Sequence, residues 1–215
     1  MSTQVQTIID GAYNRATDND PGKLAQDGEL IAHLSRVYER AWPLVARARP
    51  DEFNTQSSAT LTGVPPRLSL PLDLIALLGV YTAGGNPVWV SATTDRTRLW
   101  NLAPSMYRQG LTLVSRNLTG DPLAGDLLTL VILDAPAPLV YLTDTLDARW
   151  PVRHVQLLVD VLAVYLSVKD AGRDAGDRAA IGAELQQSVA AFAAEYGLAP
   201  ADVAWIHADA ETGKA

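Results

Sequence analysis

The chain has 215 residues, a formal net charge of −7 at neutral pH, 48% hydrophobic and 19% charged residues, and no cysteine. That length and apolar content fit a packed core in one domain, or in one domain carrying an inserted subdomain, and speak against wholesale disorder. The lack of thiols excludes disulfides, cysteine nucleophiles and cysteine-based zinc sites, while 17 Lys and Arg against 24 Asp and Glu disfavour a nucleic-acid reader, whose phosphate contacts need concentrated positive charge.

The first residues, MSTQVQTIIDGAYNRA, lack the basic flank and long apolar run of a secretory signal, so synthesis in the cytoplasm is the expectation. In this stretch Val5, Ile8, Ile9 and Ala12 share one helical face, and the Asp-Asn-Asp-Pro-Gly cluster at 18–22 ends the element. A longer helix follows in DGELIAHLSRVYERAWPLVARARPDEF. Leu30, Leu34, Val37, Ala41, Leu44 and Ala48 recur there at spacings of three and four, and Pro43 is expected to kink it. Arg36, Arg40, Arg47 and Arg49 form a local basic run that reads as a solvated helix face.

From Thr55 the period changes to two, and strand-like sequence continues to about Asp147. Strands are expected in PVWVSA, RLWNLA, LTLVSR, LLTLVILD and PLVYLT, with turns at AGGNP and TGDPLAGD. The many prolines between them favour short strands and open edges. PLDLIALLGVY is a continuous apolar run that periodicity leaves open between helix and buried strand.

Helix returns in RWPVRHVQLLVDVLAVYLSVKDAGRD, with Pro151 suited to a first turn and Gly172 to a stop. Arg153, Gln156, Asp160, Ala163, Ser167 and Asp170 form one narrow polar or small strip. Two apolar rows flank it, one through Val155, Leu158, Leu162 and Tyr165, the other through Leu157, Val161, Val164 and Val168. The run is too short for a membrane, which needs about 20 apolar residues. Such a helix is central to a bundle or touches both its own chain and a neighbour. DRAAIGAELQQSVAAFAAEYG then places Ile181, Leu185, Val189 and Phe192 on one face, closed by Gly197. The final stretch, LAPADVAWIHADAETGKA, sets Trp205 and Ile206 in an otherwise polar end, as a docking peptide would.

The expected fold class is α+β: a helical bundle formed by N- and C-terminal helices with a central antiparallel β subdomain. The divisions are residues 1–54, 55–148, 149–199 and a tail at 200–215.

Chemistry-bearing patterns are sparse. His33, His154 and His207 lack metal-ligand spacing. Ser105 lacks the glycines of a nucleophile elbow, and YTAGGN lacks the lysine of a phosphate loop and reads as a hairpin turn. The pairs Asp144 with Asp147 and Asp170 with Asp174 suit turn and helix caps, and Asp160 suits a bond to a backbone group or an arginine across the bundle. Trp89, Trp100 and Trp150 read as core or corner residues. The NLT at Asn117 matches a glycosylation sequon by chance, given the missing export signal. No catalytic, cofactor or metal residue is assigned.

Four phrases in this order, QTIIDGAYNRATDND, DGELIAHLSRVYERAWPLVARARPDEF, LPLDLIAL and YLSVKDAGRD, resemble the head-to-tail adaptor (connector) proteins of tailed bacteriophages, of the short-tailed-phage type with a β insertion. They are spread over most of the chain. The resemblance implies a structural virion protein made in the host cytoplasm. Its subunits stay monomeric or weakly associated until they add to the portal protein, and they then close a dodecameric ring that receives the tail or nozzle protein. The ring encloses the DNA channel without binding DNA specifically, and neither a reaction nor a cofactor nor a membrane is involved. The acidic balance suits a channel through which DNA slides. On this reading the assembly interface comprises Leu158, Leu162, Tyr165, Val161 and Val164 on the apolar helix, with Trp205 and Ile206 on the tail. The alternatives are another neck or tail completion protein, or a cytoplasmic small-ligand-binding protein or enzyme in which Asp160, His154 and Arg149 converge on a pocket.

Overall fold

The computed structural model describes residues 3–16, 25–91, 104–116, 119–170 and 173–212. The stop at 18–22, the RLWNLA strand with Trp100, Asn117 and Gly172 lie outside the described residues. The chain divides into two compact units, a helical one of Met1–Ala48 with Pro136–Ala215 and a β-rich one of Arg49–Ala135. The fold class is therefore α+β, with terminal helices and a central sheet region.

The helical unit is organised around α4 (Val155–Lys169), which a short 3-10 turn at Val152–His154 introduces. Every residue from Leu157 to Ser167 is buried. Helices α1 (Val5–Ala16), α2 (Asp27–Ala48), α5 (Ala175–Tyr196) and α6 (Pro200–Thr212) all pack against it. An α-helix with apolar side chains on nearly every face has to be enclosed, and here its own chain supplies the enclosure.

Each surrounding helix contributes the face its periodicity selects. From α1 come Val5, Ile8, Ile9 and Ala12, and from α5 come Ile181, Leu185, Val189, Phe192 and Tyr196. Helix α5 begins at Asp174, whose carboxylate accepts the Gly176 N–H at 3.0 Å, and ends at Gly197, which takes the left-handed conformation a C-terminal cap favours (φ 63°). Helix α2 runs on through Pro43 to Ala48. Its buried face is broader than expected. Leu44 is half-buried and Ala48 exposed, whereas His33, Tyr38, Trp42 and Val45 are buried.

The described part of the expected docking tail, residues 200–212, is a packed helix. This is α6, which buries Val203, Ile206 and Ala210 and packs on α4. These positions recur at three and four, the spacing of one helical face.

PLVYLT is not a strand. Pro136 and Pro138 remove ladder donors, and the Asp144 carboxylate accepts the N–H groups of Val140 at 2.7 Å and Tyr141 at 2.9 Å, folding the segment into a turn. The same stretch straps the helices. Val5 N–H donates to the Asp144 carbonyl, Leu139 N–H donates to Ser35 Oγ, and Asp147 N–H donates to Tyr38 Oη. The β-rich unit thus ends at Ala135 and not at 148, and it begins at Arg49, before the expected 55.

The β-rich unit opens with the one-turn helix α3 (Pro50–Phe53) and has seven strands among its described residues: β1 (Asn54–Thr60), β2 (Arg67–Ser69), β3 (Leu74–Thr82), β4 (Trp89–Ser91), β5 (Ser105–Gln109), β6 (Thr112–Ser115) and β7 (Leu127–Asp134). PLDLIALLGVY therefore resolves as strand. One sheet has the order β1-β7-β3 and is antiparallel throughout, and the other has the order β2-β6-β5-β4. The pairing among the described strands is antiparallel as expected, except that β4 runs parallel to β5 with Val90 opposite Met106. Leu61, Leu68, Val80, Met106, Leu113, Leu128, Leu130 and Ile132 come from both sheets or their flanking turns and make one core. The AGGNP segment is a turn as expected, with Gly85 at φ 78° donating to the Thr82 carbonyl at 2.9 Å.

Truncation before Pro200 strips one wall from α4, so the shortened chain is expected to lose cooperative helical unfolding by circular dichroism. Leu162→Ala is expected to cost about 2–5 kcal/mol in urea titrations of the helical signal. A truncated chain as stable as the full one would contradict the enclosure.

Candidate functional site

The residues singled out for assembly are inside the helical unit. Leu158 and Leu162 are fully buried, Val161, Val164 and Tyr165 nearly so, and Ile206 is also fully buried. As folded, none of them is available to a neighbouring subunit. Trp205 is half-buried, and Arg40 lies over its ring at 4.2 Å while donating to Asp209 Oδ2 at 2.5 Å. That arrangement joins α2 to α6. The apolar helix is accounted for by its own bundle.

The polar strip of α4 holds the bundle in register. Asp160, 2% exposed, accepts from Arg15 of α1 at 2.5 Å, from Gln156 at 2.7 Å and from the Ser188 hydroxyl of α5. A carboxylate buried this deeply persists because those donors replace its water. At one end of the helix His154 lies 3.0 Å from Glu195, which also accepts from Arg153, and its ring packs against Phe192 and Tyr196. Arg149 instead grips Asp147 through two nitrogens and covers the Trp42 ring at 5.1 Å. The guanidinium holds the Asp147 carboxyl below the usual carboxylate range. His154 borders a small pocket with Gln156 and Ser188, the donors to Asp160, but neither Asp160 nor Arg149 is among its described lining residues, so the three do not converge on one pocket.

At the other end of α4, Tyr165 and Lys169 both donate to Glu29, and Tyr165 stacks on His33 with ring centroids 4.5 Å apart. His33 is 2% exposed and neither ring nitrogen has a hydrogen-bond partner. Burial, aided by Arg36 and Lys169 and opposed by Asp209 and Glu29, lowers its pKa to about 4.

The remaining sequence candidates fall into structural roles. Ser105 is buried and donates through Oγ and its N–H to Asp121 Oδ1 at 3.0 and 2.9 Å, with no histidine in the pair. Asp144 and Asp174 cap a turn and a helix, as expected. Arg40 and Arg49 pair with Asp209 and Glu52, so the basic run does not act as one patch. Among the described residues no group of three or more His, Asp or Glu is placed to hold a metal ion, and no helix is long and apolar enough to cross a membrane.

The surface feature the sequence reading missed is on the β-rich unit. An open groove of about 480 Å³ lies where β3 and β4 meet, bordered by Leu78, Tyr81, Pro87, Trp89 and Arg108. Trp150 is a core residue, stacked in an aromatic cluster with Trp42 and Tyr38. Trp89 is not. It is 55% exposed, because β4 is a three-residue edge strand and its ring turns away from the shared core. Leu78 is 44% exposed. Arg108 donates through Nε to the Gly110 carbonyl at 2.9 Å and has no ion-pair partner among the described residues. The alternation of PVWVSA located the strand, but it does not say which face a short edge strand turns outward.

Protein-family models and curated proteins give no match to the chain.

Two outcomes test the polar clusters. Arg15→Met leaves Asp160 short of its charged donor and is expected to lose about 1–3 kcal/mol in chemical denaturation. His33 protonates at about 6.5 when unfolded and at about 4 when folded. The unfolded chain therefore binds the proton preferentially between these values, and the stability His33 contributes above about 6.5 is lost as the pH falls to about 4. His33→Phe is expected to flatten the fall in melting temperature across that window; an unchanged slope would place the titration elsewhere.

Proposed function

We propose that the chain is a structural subunit of the head-to-tail interface of a tailed bacteriophage, an adaptor that assembles as a ring beneath the portal protein and receives the tail or nozzle protein. It carries no reaction of its own. The ring, dodecameric by the resemblance, lengthens the DNA channel. The net charge of −7 suits a lining that DNA passes without sticking.

The observation that carries this reading is where the surface is apolar. Of the twelve large hydrophobic side chains exposed among the described residues, eight lie in the β-rich unit, including Val64 at 92%, Leu72 at 91% and Trp89 at 55%. The helical unit needs no neighbour to complete its core. The β-rich unit, by contrast, offers apolar side chains that a subunit in a larger assembly would bury. An enzyme reading has less support, since the groove's described lining holds a single charged residue, Arg108, and no carboxylate, histidine, serine or lysine.

Quantitative mass spectrometry of gradient-purified virus particles tests the proposal. The chain is expected at the copy number of the portal protein. Its absence from particles would remove the reading.

A further inference from the structure

The groove on the β-rich unit and the corner that precedes β3 have complementary surfaces. The groove presents Tyr81 and Trp89 around an apolar floor with, among its described lining residues, one cation, Arg108, which donates through Nε to its neighbour Gly110 and among the described residues pairs with no carboxylate. The corner presents Leu72, 91% exposed, followed by Asp73, which is exposed and in no ion pair among the described residues. Nine residues of β3 run from this corner to the far end of the groove. Tyr81, on the groove's far rim, is eight residues along the strand from Asp73, about 26 Å at 3.3 Å per residue.

We propose that the groove takes the Leu72–Asp73 corner of a second copy of this chain, with Leu72 against the rings of Tyr81 and Trp89 and Asp73 on the open end of the Arg108 guanidinium. Charge selects this occupant. The other almost fully exposed apolar residue, Val64, is followed at close range by Arg67, which would meet Arg108 with like sign. Asp73 meets it with opposite sign, and a guanidinium facing a carboxylate across an apolar pocket fixes register as well as attraction.

Corner and groove are different patches of one unit, so the contact is head-to-tail: each copy offers a corner to the next and a groove to the previous one. Contacts of that kind close into rings or run on as filaments, whereas a two-fold dimer would use the same patch twice. The inference deepens the adaptor reading and rests on it for closure into a ring.

The test uses the full chain and reversed charges. Asp73→Arg and Arg108→Asp each set like charges against each other at every contact, so each variant alone is expected to sediment as a monomer where the unaltered chain associates. Mixed in equal amounts they restore opposite charges at every alternating contact, and association is expected to return; the double variant is expected to associate by itself. Circular dichroism checks that each variant is folded. Because the chain has no cysteine, Leu72→Cys with Leu78→Cys and a short bis-maleimide provides a second reading at high protein concentration, with a ladder of multimers expected from the double variant and not from either single one.

Association that neither reversal weakens, or a loss that mixing does not repair, overturns the contact, as does a chain that stays monomeric and yields no ladder. If Trp89→Asp abolishes incorporation into particles while self-association is unchanged, a different chain occupies the groove and the proposal fails. Presence in particles at portal copy number without the charge-swap behaviour sinks the contact and leaves the adaptor reading. Charge-swap behaviour with absence from particles does the reverse.

Discussion

A fifteen-residue helix that is apolar on almost every face sets the terms for the helical unit. Water cannot be left against Leu157, Val161 or Val164 on one side, or against Leu158, Leu162 and Tyr165 on the other, without losing much of what burial contributes, roughly 1.5–3 kcal/mol for each large side chain. Four other helices come from both ends of the sequence to cover it. This accounts for the division of the chain. The β-rich unit is inserted between α2 and the strap that leads to α4, so the helical unit closes only when its N-terminal and C-terminal parts meet.

The charged groups are arranged around that requirement. The polar strip of α4 is the one line along which carboxylates and their donors enter the bundle, and Asp160 binds donors from α1, from α5 and from its own helix. Buried ion pairs of this sort add little net stability over an apolar replacement, but a wrong rotation of α4 would leave the carboxylate unpaired and is penalised accordingly. Arg40 between Asp209 and Trp205, and Glu29 between Tyr165 and Lys169, make comparable ties nearer the surface. The bundle is thus apolar in cohesion and polar in register.

Much of this was legible in the sequence because helix periodicity is a long-range signal. The buried faces of α1 and α5, the two apolar rows of α4, the Gly197 cap and the arginine partner of Asp160 all follow from spacing and residue type. The errors came where a short segment gave two signals. Val203, Ile206 and Ala210 carry a helical face, yet the surrounding Asp, Glu and Ala residues made the segment read as a tail. PLVYLT alternates like a strand, but two prolines and the Asp144 cap turn it into a strap. The interface residues were misjudged for a related reason: the need to cover α4 was clear, while the supply of cover depended on counting α6 as a helix. Trp89 lay beyond reading, since the outward face of a three-residue strand is set by tertiary pairing with β5.

With the apolar helix satisfied from within, most of the exposed large apolar side chains among the described residues lie in the β-rich unit, where aromatic and aliphatic groups stand beside an arginine that pairs with no described carboxylate. The central claim is that α4 is closed by its own chain, and amide hydrogen exchange of the dilute protein tests it most directly. The account predicts that amides of residues 157–167 are among the slowest to exchange and that their protection does not change with protein concentration. Fast exchange in dilute solution, with protection gained only as subunits associate, would mean that a neighbouring copy supplies the missing wall and would contradict the account.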